Sequence, residues 1–162
     1  MGMFYLFFMG CEKSVTFEQL KQAVFDNIPE QSVDDHKLME DCEKSLRIVC
    51  KYYDLTVGSC NMGTKFRCED YDMELCFKFL FDVNRSDEKW MKEMLSFVGK
   101  LMKIFDGDCA FESKGDSPPI MYRKNDVVIV DDSGLHGYQR FPFHHLGVEY
   151  QEGNTMDLLQ IK

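Results

Sequence analysis

"FDGDCAFESKGDSPPIMYRKNDVVIVDD" (Phe105–Asp132) contains three short β-rich segments separated by turn residues. The segments "CAFES", "IMYRK" and "VVIVDD" carry the aromatic and β-branched residues that strands favour. "KGDSPP" separates the first two segments, and Asn125-Asp126 separates the last two with the residue types of a tight hairpin turn. The stretch therefore predicts an antiparallel meander, in which the acidic residues and glycines serve the turns instead of forming a catalytic loop.

The segment before the meander, "SDEKWMKEMLSFVGKLMKIFDGD" (86–108), predicts the main helix. Ser86 is the expected N-cap, and Gly107 is the expected left-handed residue that ends the helix. A helix of this length rises roughly 30 Å, enough to cross a sheet. The apolar residues expected to face that sheet are Trp90, Met94, Phe97, Val98, Leu101 and Phe105.

Two earlier segments also favour β structure. "LRIVCKYYDL" (46–55) is rich in β-formers, and "TKFRCEDYDMELCFKFLFDV" (64–83) predicts one longer strand. In the second half of the longer segment, apolar residues recur at the two-residue period of a half-buried strand. These residues are Leu75, Phe77, Phe79 and Phe81.

The N-terminal residues predict a strand followed by a short helix. "MFYLFFM" (3–9) places Tyr5 and Phe7 on one face and Phe8 on the other. The Gly-Cys step that follows is also found at lipoprotein cleavage sites, but no basic segment precedes it here. Thr16 and Gln19 have the spacing of a capping box for the helix, and the polar segment 30–45 predicts an exposed loop.

These elements predict an α+β fold in the order β-α-β-β-α-β-β-β. Strands joined by short turns favour a mainly antiparallel sheet, and the two helices are expected to pack on one face of it. The length of 162 residues fits one domain, residues 1–162. Residues 131–162 are expected to be an irregular C-terminal extension that packs on the sheet.

The composition limits the classes of function. A net charge of −9 and a pI near 4.9 argue against binding nucleic acid and favour a basic protein partner. No segment has the length and apolar character of a membrane span, so no membrane association is expected. The seven cysteines are an odd number without close pairs, which is typical of reduced thiols in a cytoplasmic protein.

Residue types that support catalysis are present but scattered. His136 and His144 would form a metal site with Asp131 or Asp132 only if the C-terminal segment folded back, and Cys109 is a conceivable nucleophile. The motifs of the common hydrolases, kinases and dinucleotide-binding enzymes are absent from the sequence. We therefore expect no catalytic residues, no metal and no cofactor.

The order of features around the meander resembles the Sit-type immunity proteins of bacterial polymorphic-toxin systems. In that family a helix ends in a Gly-Asp step, and a strand and an Arg-containing hairpin follow. The resemblance covers about residues 73–132, and Asp126 stands where a hairpin glycine is usual. The corresponding residues here are Leu101, Gly107, Asp108, Ala110, Phe111, Gly115, Asp116, Arg123, Asn125 and Asp126.

The resemblance implies a non-catalytic protein that binds and neutralises a cognate toxin domain delivered by neighbouring cells, as in contact-dependent growth inhibition. The expected partner is the C-terminal domain of that toxin, a possible nuclease, and the protein is expected to be a monomer or weak homodimer. The acidic residues expected to contact the toxin are Asp34, Asp35, Glu40, Asp41, Glu43, Glu69, Asp70 and Asp72. Two alternatives remain open at this point: a small metal-dependent hydrolase that uses the C-terminal histidines, and a non-catalytic adaptor.

Overall fold

A computed structural model describes residues 3–10, 15–28, 37–41, 45–59, 62–114, 118–131 and 141–159. Within these residues, nine strands form one sheet in the order β2-β3-β4-β5-β1-β6-β7-β8-β9. All neighbouring strands are antiparallel except β8 and β9, which are parallel. The elements are β1 (Met3–Met9), α1 (Phe17–Asn27), β2 (Lys37–Asp41), β3 (Ser45–Val49), β4 (Tyr53–Ser59), α2 (Met62–Tyr71), β5 (Phe77–Val83), α3 (Trp90–Ile104), β6 (Cys109–Ser113), β7 (Met121–Lys124), β8 (Val127–Val130) and β9 (Gln151–Glu152). The mainly antiparallel α+β architecture predicted from the sequence is confirmed.

The N-terminal strand lies in the middle of the sheet. β1 pairs with β5 on one side and with β6 on the other, so that Phe7 lies between Phe79 and Phe111. Its side chains alternate between two apolar environments, as predicted. Tyr5, Phe7 and Met9 face the larger core, and we call this side the first face; Phe8 faces a smaller core on the second face.

Helices α1 and α3 cover the first face, as predicted. The capping box that begins α1 is present, because Gln19 N donates to Thr16 Oγ1 at 3.1 Å and Thr16 N donates to the Gln19 side chain at 2.9 Å. Of the predicted apolar stripe of α3, Met94, Phe97, Val98 and Leu101 are buried in the larger core, and Leu95 and Met102 are buried beside them. Each helix therefore has the apolar side predicted from the sequence, and this side is buried against the sheet.

Both predicted ends of α3 are wrong. The helix begins at Trp90, and Ser86 precedes it in a turn where its Oγ bonds to Asn84 Oδ1 at 2.6 Å. The fifteen helical residues rise about 22 Å, not the roughly 30 Å expected. At the other end Phe105 continues in extended conformation (φ −113°), and Gly107 has no positive φ.

Carbonyl groups at the end of α3 and just beyond it are satisfied from a distant strand instead. Arg123 on β7 donates to the carbonyl of Met102 at 2.6 Å and to that of Gly107 at 2.7 Å. Because a side chain supplies donors for the end of the helix, the chain needs no left-handed glycine there.

The predicted long strand 64–83 is wrong in its first half. Residues 62–71 form helix α2, and the strand begins only at Phe77. Cys68 and Tyr71 of α2 pack on the second face against Phe8, an environment that local β-propensity does not reveal. The predicted alternation is confirmed within β5, where Phe77, Phe79 and Phe81 are buried in the larger core, whereas Leu75 precedes the strand and lies in the smaller core.

The segment predicted as an exposed loop, 30–45, contains strand β2. Lys37–Asp41 pairs with β3 at one margin of the sheet, with an irregularity between Leu38 and Glu40.

The predicted β segment 46–55 is divided into β3 and β4 by a turn, in which Cys50 N donates to the Tyr53 carbonyl at 2.9 Å.

The C-terminal meander is confirmed. β6, β7 and β8 are consecutive antiparallel strands, and both residues of the Asn125-Asp126 turn are left-handed, with φ values of 52° and 67°. The extension beyond the meander is described over residues 141–159, where it contains two 3₁₀ turns, Phe143–Leu146 against α3 and Thr155–Leu158, and the short strand β9, which pairs with β8. Leu158 docks in the smaller core.

Candidate functional site

Three connections meet at one end of the sheet and enclose a cleft of about 370 Å³. They are the link from α2 to β5, the link from α3 to β6, and the hairpin turn between β7 and β8. The lining residues are Cys68, Asp72, Met73, Glu74, Gly107, Asp108 and Asn125. We call this feature the acidic cleft, because the described residues that line it include three carboxylates and no Lys, Arg or His.

The backbone around the acidic cleft is held closely. Gly10 N donates to the Asp108 carbonyl at 2.7 Å, and a Cβ atom at Gly10 would lie 2.0 Å from the Glu74 carbonyl oxygen. A larger residue at position 10 would therefore push the two acidic connections apart. The glycine of the Gly-Cys step that also occurs at lipoprotein cleavage sites therefore has a packing reason in this fold.

Asp72 turns the chain at the mouth of the cleft. It has a left-handed backbone (φ 52°), and its exposed carboxylate lies 3.7 Å from Lys124 Nζ. Lys124 is also held by the Tyr71 carbonyl, to which it donates at 2.9 Å. Because an exposed ion pair of this length contributes little, Asp72 retains most of its attraction for an external cation.

The other two carboxylates complete the acidic mouth. Asp108 Oδ1 accepts a bond from the backbone N–H of Asn125 at 3.3 Å, which orients the carboxylate across the turn. Glu74 is exposed to solvent. The arrangement offers oxygen acceptors to one or two inserted basic side chains, and it contains no nucleophile paired with a base.

A buried charge network fixes α2 above the sheet beside the cleft. Glu112 of β6 is fully buried; Arg67 Nε lies 2.7 Å from its Oε2, and the Tyr71 hydroxyl donates to the same carboxylate. Burial alone would lower the pKa of the Arg67 guanidinium. The adjacent Glu112 carboxylate and the other anionic groups near Arg67 have the opposite and larger effect, so its pKa is raised. The network therefore keeps Arg67 charged and holds the helix that leads into Asp72.

Among the residues that the structure describes, the predicted toxin-contacting residues lie on α2 with the link that follows it and on β2. Glu69 is exposed on α2, Asp70 is half-buried and lies 3.5 Å from Arg67 Nη1, and Asp72 lines the acidic cleft. Glu40 and Asp41 lie on β2, four strands from β1 in the sheet order. Asp34, Asp35 and Glu43 lie outside the described residues.

Glu74 and Asp108 were not predicted to lie beside Asp72. Glu74 was assigned to the long strand and Asp108 to the helix end, so neither appeared as a surface acid. The sequence offered one cleft acid at a predicted turn, Asp108 after the helix. Asp72 and Glu74 lie in the segment predicted as a long strand, and their approach to Asp108 depends on the order of the strands.

Of the residues considered for catalysis, the structure describes His144, Asp131 and Cys109. Within the described part of the chain, no group of three His, Cys, Asp or Glu side chains is placed to hold a metal ion. The rings of His144 and His145 are 4.1 Å apart on a 3₁₀ turn, whereas Asp131 accepts a bond from Thr155 N at 3.3 Å. His136 and Asp132 lie outside the described residues.

Cys109 is unsuited to act as a nucleophile. It is fully buried in the larger core, and burial raises the pKa of its thiol to about 12. The thiol is therefore protonated at neutral pH and inaccessible to a substrate. The cysteines in the described regions are free thiols: Cys50, Cys68, Cys76 and Cys109.

A scan against protein-family models and searches of curated proteins and solved structures find no match to this chain. No helix in the described ranges is both long enough and apolar enough to cross a membrane.

Proposed function

We propose that this protein is a cytoplasmic immunity protein that binds the C-terminal domain of a cognate toxin and neutralises it without catalysis. The observation that carries the proposal is the acidic cleft, a preformed concavity whose charged lining is entirely negative. In this proposal the toxin domain is basic, and the protein acts as a monomer that covers its active surface. The resemblance of residues 73–132 to Sit-type immunity proteins supports the same function.

The overall charge supports recognition of a basic partner. A net charge of −9 on 162 residues attracts a positively charged domain over several ångströms and raises the rate of association at low salt. Toxin domains that cut nucleic acid are commonly basic, because they must bind phosphates. An acidic inhibitor that inserts into such a surface competes directly with the substrate.

The rigidity of the cleft supports tight binding. Close backbone approach at Gly10, the Arg123 bonds to the end of α3 and the Lys124 bond to the Tyr71 carbonyl hold the three connections before any partner arrives. A preformed site loses less conformational entropy on binding than a mobile one. Glu69 of α2, exposed one turn before Asp72, extends the negative surface beyond the mouth of the cleft.

The experiment compares two triple variants with the same net charge. The cleft variant is Asp72→Asn, Glu74→Gln and Asp108→Asn; Asn tolerates the left-handed backbone at position 72 and keeps the side-chain oxygen at position 108. The control variant neutralises three exposed acids remote in sequence from the cleft connections: Asp26→Asn, Glu88→Gln and Glu149→Gln.

Binding is measured by calorimetry against the toxin domain encoded by the adjacent gene, and protection by growth of cells that express the toxin domain. We expect the cleft variant to bind at least tenfold more weakly, corresponding to roughly 1.4 kcal/mol or more, and to lose protection. The control variant should keep both properties. If both variants lost the same affinity for the toxin domain, net charge and not the acidic cleft would explain the loss. If the wild-type protein did not bind the toxin domain, the immunity function would be rejected.

A further inference from the structure

Part of the second face of the sheet is exposed among the residues that the structure describes. The smaller core lies over β1 and β6, around Phe8 and Ala110. On the neighbouring strands, Thr56 of β4 and Asp82 of β5 are exposed, and Phe4 of β1 is 40% exposed although it lies in the middle of the sheet order.

Phe4, Asp82 and Asp54 of β4 form a row across this part of the second face, which we call the carboxylate row. Phe4 is directly opposite Asp82, and Asp82 is directly opposite Asp54 of β4. Side chains in such cross-strand pairs lie on one face, with Cβ atoms about 5 Å apart. The row therefore places an exposed aromatic ring beside two carboxylates at spacings set by the sheet.

The carboxylate row is unfavourable for the isolated protein. Like charges that are directly opposite in an antiparallel pair repel each other and reduce stability. Arg47 compensates Asp54 in part, since its Nη2 lies 3.7 Å from the Asp54 carboxylate. No described residue forms an ion pair or hydrogen bond with Asp82, so the row keeps one uncompensated negative charge beside the Phe4 ring.

We propose that the carboxylate row binds an arginine side chain of the toxin domain. A guanidinium is planar, donates hydrogen bonds from two edges and stacks on aromatic rings, so one group can bond to Asp82 and Asp54 while it contacts the Phe4 ring. Lysine offers a single strongly hydrated charge and uses the ring less well. Leu6 and Leu80, paired in the next row and half-buried, provide an apolar margin against which the stem of the arginine packs.

This inference rests on the proposed function, because that function supplies a basic protein partner. It adds a second contact, on a sheet face distinct from the acidic cleft, and states which basic residue the contact takes. The repulsion between Asp54 and Asp82 is then a stability cost that is relieved when the partner binds.

The test uses peptides, so that it does not depend on the toxin. A Gly-Arg-Gly-Arg-Gly peptide and the matched Gly-Lys-Gly-Lys-Gly peptide are titrated into the full-length isotope-labelled protein, and the backbone amide signals of Phe4, Asp54 and Asp82 are followed by NMR. We expect the arginine peptide to shift these signals and to bind about fivefold more tightly than the lysine peptide. Asp82→Asn should weaken binding of the arginine peptide by about fivefold, and Phe4→Leu should remove the preference for arginine over lysine.

A stability measurement separates the proposed contact from a structural role. Asp82→Asn should raise the urea midpoint of unfolding while it weakens peptide binding, whereas a structural carboxylate would lower the midpoint when removed. Asp26→Asn, an exposed acid on α1, is the control and should leave peptide binding unchanged.

Equal affinity for the two peptides, or an Asp82→Asn variant that binds as well as wild type, would overturn the inference. If that result accompanied normal neutralisation of the toxin, the proposed function would stand without this contact. If the peptide results were as expected but the toxin were not bound, the immunity function alone would fall.

Discussion

Two buried tyrosines allow one chemical change to be tested in opposite environments. Tyr53 of β4 and Tyr71 of α2 are exposed by only 1% and 0%, so both rings are fully packed. The Tyr71 hydroxyl donates to the buried Glu112 carboxylate. The Tyr53 hydroxyl has no hydrogen-bond partner among the described residues, and burial, with Cys50 and Glu93 nearby, raises its pKa well above the ordinary value.

Replacement by phenylalanine removes only the hydroxyl. At Tyr53 the edge contact with Phe81, whose ring centroid is 5.0 Å away, is preserved. The variant no longer buries an unsatisfied polar group, a change that we expect to raise the free energy of unfolding by about 1–2 kcal/mol. At Tyr71 the same replacement removes a bond to a buried charge and should lower the free energy of unfolding by about 1.5–3 kcal/mol.

The measurement is urea unfolding of the wild type, Tyr53→Phe and Tyr71→Phe, followed by circular dichroism. For a domain of this size, each kcal/mol corresponds to a change of roughly 2–4 °C in the thermal midpoint, which gives an independent check. The slope of the urea transition should stay constant, since the change leaves the buried area almost unaltered.

The opposite signs are the essential result. If Tyr53→Phe destabilised the protein as much as Tyr71→Phe, the Tyr53 hydroxyl would have a bonding partner in solution, and the account of this part of the core would be wrong. If neither variant changed stability, the bond from Tyr71 to Glu112 would contribute nothing net, and the role assigned to it in holding α2 would be refuted.

Three further predictions concern the α3 side of the molecule. Gly99→Ala should lower the free energy of unfolding in urea by about 1–3 kcal/mol, because the added Cβ would lie 1.8 Å from the Leu146 carbonyl oxygen. An increase in the free energy of unfolding, as expected from helix propensity alone, would contradict this packing. Burial, together with the adjacent His144, lowers the pKa of His145 below 6.5, so the unfolded state binds more protons than the folded state and the free energy of unfolding should fall as the pH drops below 6.5. Urea unfolding of His145→Gln should therefore depend less on pH than that of the wild type. An unchanged pH profile would exclude His145 as the cause. Burial raises the pKa of Cys109 to about 12, so its thiol should react with a thiol reagent only after denaturation. Mass spectrometry locates the label, and labelling of Cys109 in the native protein at neutral pH would show that the core opens.

The elements predicted correctly are those whose signal is local. The Asn125-Asp126 turn requires left-handed residues, the Thr16–Gln19 box is complete within one helical turn, and the stripe of α3 repeats over several turns. Each of these patterns has a single low-energy conformation that neighbouring residues in sequence are enough to specify.

The errors lie where a distant residue supplies the stabilising contact. Residues 62–71 contain aromatic residues that favour strands, yet Arg67 and Tyr71 reach Glu112, which follows Tyr71 by 41 positions, and this contact favours the helix. Likewise Arg123 replaces the helix-ending glycine expected at position 107, although it lies on another strand. Hydrogen bonds and ion pairs across such separations leave no periodic pattern in the chain.

The amino-acid order alone was sufficient for the class of fold, the central apolar strands and the negative charge, because burial periodicity and net charge are properties of the chain read locally or summed. The places where negative side chains cluster on the surface could not be predicted from the sequence in this way. Asp72, Glu74 and Asp108 belong to connections that become neighbours only when β1 inserts between β5 and β6, and Asp54 faces Asp82 only in the register of β4 with β5. Both candidate contacts therefore arise from strand order and register, which long-range pairing sets after the local elements have formed.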